Sequence, residues 1–87
     1  MNGWEEAILK SVDAAGGRAC NQEIYDKVGE FINLSLQHLR PTQWGGRPAY
    51  EHQVRSHLSN LCEKGDLLRV GRGQYRLTPG GRTRIRN

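Results

Sequence analysis

The sequence predicts a small α+β domain in which three helices precede a C-terminal β-hairpin. Apolar residues recur at helical spacing in three segments of the 87-residue chain, and each stripe indicates a helix with one buried face. Two strand-like runs, 67–70 and 74–78, are joined by Gly71-Arg72-Gly73, which is typical of a tight hairpin. A chain of this length can form one domain with one modest core.

The first predicted helix carries Trp4, Ile8 and Val12 on one face. Gly16-Gly17 follows it and is a usual signal for a helix C-terminus. The next three residues, 18–20, are long enough for a short strand that pairs with the hairpin.

The second predicted helix has Asn21 as its N-cap and ends near Asn33, because an apolar stripe of helical spacing runs between these positions. The connector from Asn33 to Gly46 is longer than the few residues that join the helices of a simple helix-turn-helix. It must either pack on the body through its leucines or carry function.

The third predicted helix starts at Pro48 and is stopped by Gly65. Val54, Leu58 and Leu61 form its inward face, so polar side chains cover the opposite face. A polar-faced helix followed at once by a basic hairpin predicts a winged helix-turn-helix that occupies residues 1–78. Residues 79–87 are predicted to be a basic, flexible tail.

Charge is strongly segregated along the chain. Residues 1–38 contain three Lys or Arg and six Asp or Glu, whereas residues 39–87 contain ten Lys or Arg and three Asp or Glu. A basic half is typical of proteins that bind polyanions, and arginine suits bidentate contacts to phosphate or guanine. Double-stranded DNA is therefore the predicted partner.

The predicted DNA contacts lie on the third helix, in the hairpin and in the connector. Polar helix side chains of this kind can contact base edges, and hairpin arginines can hold phosphates. The helix contributes His52, Gln53, Arg55, Ser56, Ser59 and Asn60, and the hairpin contributes Arg69, Arg72, Gln74 and Arg76. Alternation along the two strands is expected to turn Leu68, Val70, Tyr75 and Leu77 toward the core.

Trp44, flanked by two glycines just before the third helix, has two interpretations. It can meet a nucleobase or its methyl group, or it can anchor the connector on the core. The sequence alone does not separate them.

Several other classes of protein are disfavoured. Cys20 and Cys62 are too few for a disulfide scaffold or a zinc site, and no histidine pair has metal-ligand spacing, so no metal or other cofactor is expected. No paired carboxylates, phosphate loop or matched nucleophile indicates an enzyme. Neither a signal peptide nor a membrane span is recognisable, which predicts a cytoplasmic protein.

A family resemblance adds to these predictions. The run from Val54 to Thr78, with its leucines at 58, 61, 67 and 68 and its glycines at 65, 71 and 73, resembles winged-helix domains attached to bacterial restriction endonucleases. It looks like the N-terminal domain of the Mrr type and like the winged helix of endonucleases that cut Dam-methylated DNA. Glu23-Ile24-Tyr25 at the start of the second helix agrees with it.

The resemblance implies a module of a restriction system that senses a modified base, often N6-methyladenine, and is coupled to a nuclease domain elsewhere in the parent protein. The positions that match the methyladenine readers are Trp44, Arg47 and the helix face around His52, Arg55 and Ser56. Two alternatives stay open. One is a general DNA-binding transcriptional regulator, and the other is a winged helix used for protein–protein interaction, in which the acidic first half meets a basic partner.

Overall fold

The computed structural model describes residues 3–34, Leu39 and 48–86, and over these residues the chain is an α+β domain. The described residues form four helices and a three-stranded antiparallel sheet. The helices are α1 (Gly3–Ala14), α2 (Asn21–Val28), α3 (Tyr50–Lys64) and α4 (Pro79–Arg86). The strands are β1 (Arg18–Cys20), β2 (Leu67–Gly71) and β3 (Gln74–Leu77). The predicted α+β class, the short strand and the hairpin are all present.

The core lies between α1, α2, α3 and one face of the sheet. The three predicted apolar stripes supply most of the core, although Phe31, at the end of the second stripe, is 41% exposed. Each fully buried aliphatic side chain stabilises the fold by about 1.5–3 kcal/mol. The buried apolar residues are Ala7, Ile8, Leu9, Val12, Ala19, Ile24, Tyr25, Val28, Val54, Leu58, Leu61, Leu67 and Leu77. This core fixes the outward-facing side of α3 relative to the hairpin.

β3 is the central strand of the sheet, with β1 and β2 on either side of it. Leu67 pairs with Leu77 in register, and Arg69 pairs with Tyr75, so these four side chains share the face that turns toward α3. The expectation that Leu68 and Val70 face the core is wrong, since they are 46% and 36% exposed. Either residue of the Leu67-Leu68 pair could have been buried, and the pairing of Leu67 with Leu77 decides which one is.

The boundaries of α2 and α3 differ from those predicted. The N-cap of α2 is Cys20 instead of Asn21, and the backbone N–H of Cys20 donates to Oε1 of Glu23 at 3.0 Å. That hydrogen bond lowers the pKa of the Glu23 carboxyl. The helix ends at Val28 because the chain continues with Gly29, a poor helix former. Helix α3 begins at Tyr50, two residues after Pro48, and ends at Gly65 in the left-handed conformation (φ 83°).

Residues 79–86 form a helix, so the predicted flexible tail is wrong for this segment. Thr78 is placed as an N-cap: its hydroxyl accepts a hydrogen bond from the N–H of Gly81 at 3.0 Å. Pro79 then occupies the first helical position, where a missing N–H costs nothing. Thr-Pro was the sequence signal for this helix, and the prediction of a flexible terminus did not use it.

Close packing and ion pairs hold α4 on the domain. A Cβ added to Gly81 would collide with the carbonyl oxygen of Asp66, so the helix backbone approaches the turn between α3 and β2 more closely than any other residue allows. Nη1 of Arg84 lies 3.0 Å from Oδ2 of Asp66, whose side chain is only 5% exposed. Nε of Arg82 lies 3.8 Å from Asp13 of α1. The C-terminal helix is therefore part of the folded domain.

Candidate nucleic-acid interface

The outward face of α3 is polar and exposed, as predicted. Val54, Leu58 and Leu61 are buried on the opposite side of the helix together with Glu51, and the spacing of 3.6 residues per turn then leaves the outward positions in solvent. All six predicted contact residues of this helix are exposed: His52, Gln53, Arg55, Ser56, Ser59 and Asn60. The next helix position inward, His57, is half-buried, and its Nδ1 lies 3.8 Å from the buried carboxylate of Glu5.

The register of the sheet divides the four predicted hairpin residues between two surfaces. Arg69 is on the α3 side, because it pairs with Tyr75. Arg76 is on the opposite side, which we call the outer sheet face, where it pairs with Leu68 and with Arg18 of β1. Gln74 pairs with Cys20 and shares the outer sheet face. Arg72 lies in the turn that joins the strands, next to Gly73 (φ 65°).

A cleft of about 630 Å³ separates α3 from the hairpin, and we call it the arginine cleft. Three arginines from two elements and a turn converge on it. Its walls are Arg55, Leu58 and Ser59 of α3, Arg69, Arg72, Gly73 and Tyr75 of the hairpin, and Asn21 at the start of α2. Two polar groups of the predicted α3 face and two predicted hairpin arginines therefore meet in one concave surface.

Among the described residues, no carboxylate pairs with the arginines of the arginine cleft. In residues 3–34 and 48–86, Arg55, Arg69 and Arg72 form no ion pair, whereas Arg82 and Arg84 of α4 each meet a carboxylate. The nearest elements contribute hydroxyl, amide and aromatic groups to the cleft instead of acids. Such an arrangement favours an anionic ligand, because the guanidinium donors remain free to bind it.

Asn21 and Tyr75 belong to the cleft but were not among the predicted contact residues. Asn21 was predicted as an N-cap, yet its side chain lies against Gly73 and its Oδ1 has no hydrogen-bond partner among the described residues. Tyr75 was predicted as a core residue, and it is half-buried with one part packed on the core. Only the pairing of β3 with both other strands brings these two residues beside Arg55.

Trp44 and Arg47, the predicted contacts of the connector, lie outside the described residues. The two interpretations of Trp44 therefore stay as the sequence left them.

Both cysteines are free thiols and are half-buried. Burial raises the pKa of the Cys62 thiol, and the nearby Arg69 lowers it by a smaller amount. Cys62 is accordingly protonated at neutral pH and is a poor nucleophile. Within the described ranges, no group of three or more His, Cys, Asp or Glu side chains could hold a metal ion, and no helix is long and apolar enough to cross a membrane.

Comparison with protein-family models, with curated proteins and with solved structures gave no match for this chain. Evidence for its function comes from the geometry and charge of the domain itself.

Proposed function

We propose that this chain is a winged-helix module that binds double-stranded DNA. Helix α3 presents its polar face to the major groove, and the hairpin holds the phosphate backbone beside it. The observation that carries the proposal is the arginine cleft, in which Arg55, Arg69 and Arg72 converge without acidic partners in the described part of the chain. The proposed role is binding, with no catalytic step in this domain.

The order of the elements agrees with this assignment. A helix, a short strand, a second helix, α3 and the β2–β3 hairpin follow one another, and β1 pairs with the strand that returns from the hairpin turn. In this arrangement the sheet packs against the buried side of α3 and leaves the outer face of the helix exposed. DNA-binding helices need such an exposed face, since the major groove, about 12 Å wide, admits a single helix.

The finer part of the proposal comes from the resemblance to restriction-associated domains. We propose that the module senses a modified base, N6-methyladenine in the first instance, for a nuclease elsewhere in its parent protein. A single methyl group contributes only about 0.8 kcal/mol when it is buried, so discrimination requires close contact from a rigid aromatic or apolar surface. Trp44 is the proposed surface, and Arg47 and Arg55 are proposed to fix the position of the domain along the DNA.

Two double variants with equal charge changes test the DNA-binding proposal. Arg69→Ala with Arg72→Ala removes two charges from the arginine cleft, and Arg18→Ala with Arg76→Ala removes two from the outer sheet face. The cleft variant is expected to bind duplex DNA at least tenfold more weakly, whereas the control changes the affinity by less than threefold, because its side chains point away from α3. Fluorescence anisotropy at fixed salt measures both. Equal losses would contradict the assignment of the cleft as the main contact.

The modification proposal has its own measurement. Two duplexes of the same sequence, one with N6-methyladenine on both strands and one unmodified, are titrated against the parent and against Trp44→Ala. A preference for the methylated duplex that disappears in the variant agrees with the proposal. Equal affinity of the parent for both duplexes would remove the modification-sensing part and leave a general DNA-binding module.

A second candidate function, protein–protein interaction, is favoured by one observation. Leu68 and Val70 are exposed beside Arg76, which gives the hairpin an apolar and basic outer surface. This candidate would be favoured if the domain does not bind duplex DNA, or if its affinity for duplex DNA does not change with salt concentration.

A further inference from the structure

The shape of the arginine cleft carries information beyond its charge. A continuous DNA backbone needs only cations on a surface, because its phosphates lie on the outside of the double helix. The cleft is instead concave, and its volume of about 630 Å³ lies within the range of roughly 300–1,000 Å³ that is usual for small-molecule sites. Its size therefore suits a whole nucleotide better than a single phosphate group.

Tyr75 gives the cleft an aromatic wall. The residue lines both the arginine cleft and a smaller recess of about 220 Å³ on the side of Cys62 and Glu63. Tyr75 packs against the core but is only half-buried, so part of the residue stays accessible. Aromatic rings next to basic side chains are the usual binding surface for unpaired nucleotides, since every base has a flat face that can stack.

The cleft also adjoins the proposed duplex contacts. Arg55 and Ser59 are on the exposed face of α3, and both also line the cleft. A double helix held along α3 would place its backbone near the cleft, but a base that remains paired has both flat faces covered by its stacked neighbours and cannot stack on Tyr75. Only a nucleotide that has left the double helix can do so.

We infer that the arginine cleft binds a single nucleotide displaced from the double helix; this inference rests on the proposed DNA-binding function. Arg69 and Arg72 hold the phosphates on either side of the nucleotide, and Tyr75 stacks on its base. Arg55, at the edge of α3, connects the cleft to the duplex.

An unpaired nucleotide is the sharpest probe for this site. It has already lost its pairing, so the domain does not have to supply the free energy of extraction. The parent domain is expected to bind a duplex with one bulged nucleotide about tenfold more tightly than the fully paired duplex. A third duplex with an abasic bulge keeps the bend and the extra phosphate but lacks the base, and it should be bound like the paired duplex.

Three variants relate the preference to the cleft. Tyr75→Leu removes the ring and should abolish the tenfold difference, whereas Tyr75→Phe keeps the ring and should preserve it. Ser59→Tyr places a large side chain at an exposed position in the cleft without disturbing the core, so it tests the site even if Tyr75→Leu does not fold. Thr83→Tyr, at an exposed position of α4 away from the cleft, is the matched control and should retain the preference.

The outcomes separate the two proposals. If the parent binds all three duplexes equally and in a salt-dependent manner, DNA binding stands and the nucleotide site is overturned. If the abasic bulge is preferred as strongly as the bulged nucleotide, the domain recognises a bend. If Ser59→Tyr retains the preference, the bulged nucleotide binds outside the cleft. Either result likewise overturns the nucleotide site. If no duplex is bound, the proposed function itself fails.

Discussion

The arginine cleft and helix α4 are the two most arginine-rich regions of the described chain, yet their arginines have different surroundings. Arg55, Arg69 and Arg72 meet no carboxylate in the described ranges, whereas Arg82 pairs with Asp13 and Arg84 pairs with the buried Asp66. The charge of α4 is therefore largely used within the fold, and the charge of the cleft is available for a ligand. Arginine content alone does not distinguish a ligand-binding surface from a helix whose arginines form ion pairs within the fold.

The largest expected effect is on the salt dependence of DNA affinity when the arginines of each region are removed. A triple alanine variant at 55, 69 and 72 should reduce the slope of log affinity against log salt by about 3, because each lost phosphate contact removes about one unit. The triple variant at 82, 84 and 86 is the control with the same charge change, studied at a temperature at which circular dichroism shows it folded. If both variants reduce the slope of log affinity against log salt equally, the arginines of α4 contact DNA as much as those of the cleft, and the contrast between the two regions is wrong.

A pair of glycine substitutions tests how tightly α4 is docked. Gly81→Ala should destabilise the domain by about 1–3 kcal/mol, since the new Cβ collides with the carbonyl oxygen of Asp66. Gly80→Ala is the neighbouring control: its Cβ would be 3.7 Å from the nearest atom, and alanine favours a helix, so stability should stay equal or rise. Thermal unfolding measures both, with an expected decrease in Tm of about 4–8 °C per kcal/mol for Gly81→Ala. Equal stability of the two variants would show that α4 is loosely attached.

Removal of the Arg84 side chain should leave the buried carboxylate of Asp66 without its ion pair. Arg84→Ala is expected to cost about 2 kcal/mol, less than a fully buried pair because Arg84 is itself 37% exposed. Arg86→Ala, which removes an exposed arginine of the same helix, should change stability by less than about 0.5 kcal/mol. Urea unfolding provides both values. Affinity for DNA should be unaffected by Arg84→Ala, and a clear loss would mean that α4 also contacts DNA.

The smallest effect concerns Glu5, a buried acid of α1 that accepts hydrogen bonds from Nζ of Lys64 at 2.9 and 3.1 Å. These bonds lower the pKa of the Glu5 carboxyl below its ordinary 4.5. Its stabilising contribution is therefore complete above pH 4.5 and is lost as the pH falls through the lowered pKa of the folded state. Glu5→Gln should cost about 1–2 kcal/mol at pH 7, because Lys64 is 46% exposed and can turn to water.

Below pH 3 the difference in unfolding free energy between the parent and Glu5→Gln should shrink toward zero. Denaturant titrations at pH 7, 5 and 3 check this. A difference that stays constant over the three pH values would contradict the assignment of the ion pair.

Periodicity predicted the elements that depend on local patterns. The stripes of α1 and α3, the stop at Gly65 and the strands around Gly71-Arg72-Gly73 follow from spacing and turn chemistry, which act over a few residues. The exposed face of α3 was also predictable, because burial of Val54, Leu58 and Leu61 leaves the polar side chains on the opposite face, in solvent. The sequence by itself thus determined the α+β class and the polar surface of α3.

Tertiary structure decided everything that depends on which residues meet across the fold. Alternation was wrongly assigned with Leu68 toward the core, whereas the pairing of Leu67 with Leu77 turns Leu68 outward and places Arg69 and Arg76 on opposite faces. Residues 79–87 were predicted to be a flexible tail, whereas the close approach of Gly81 to Asp66 docks residues 79–86 on the domain as a helix. Asn21 and Tyr75 joined Arg55 only through strand pairing. Local chemistry sets secondary structure, but the neutralisation of a charge depends on partners distant in sequence, and only the folded chain brings those together.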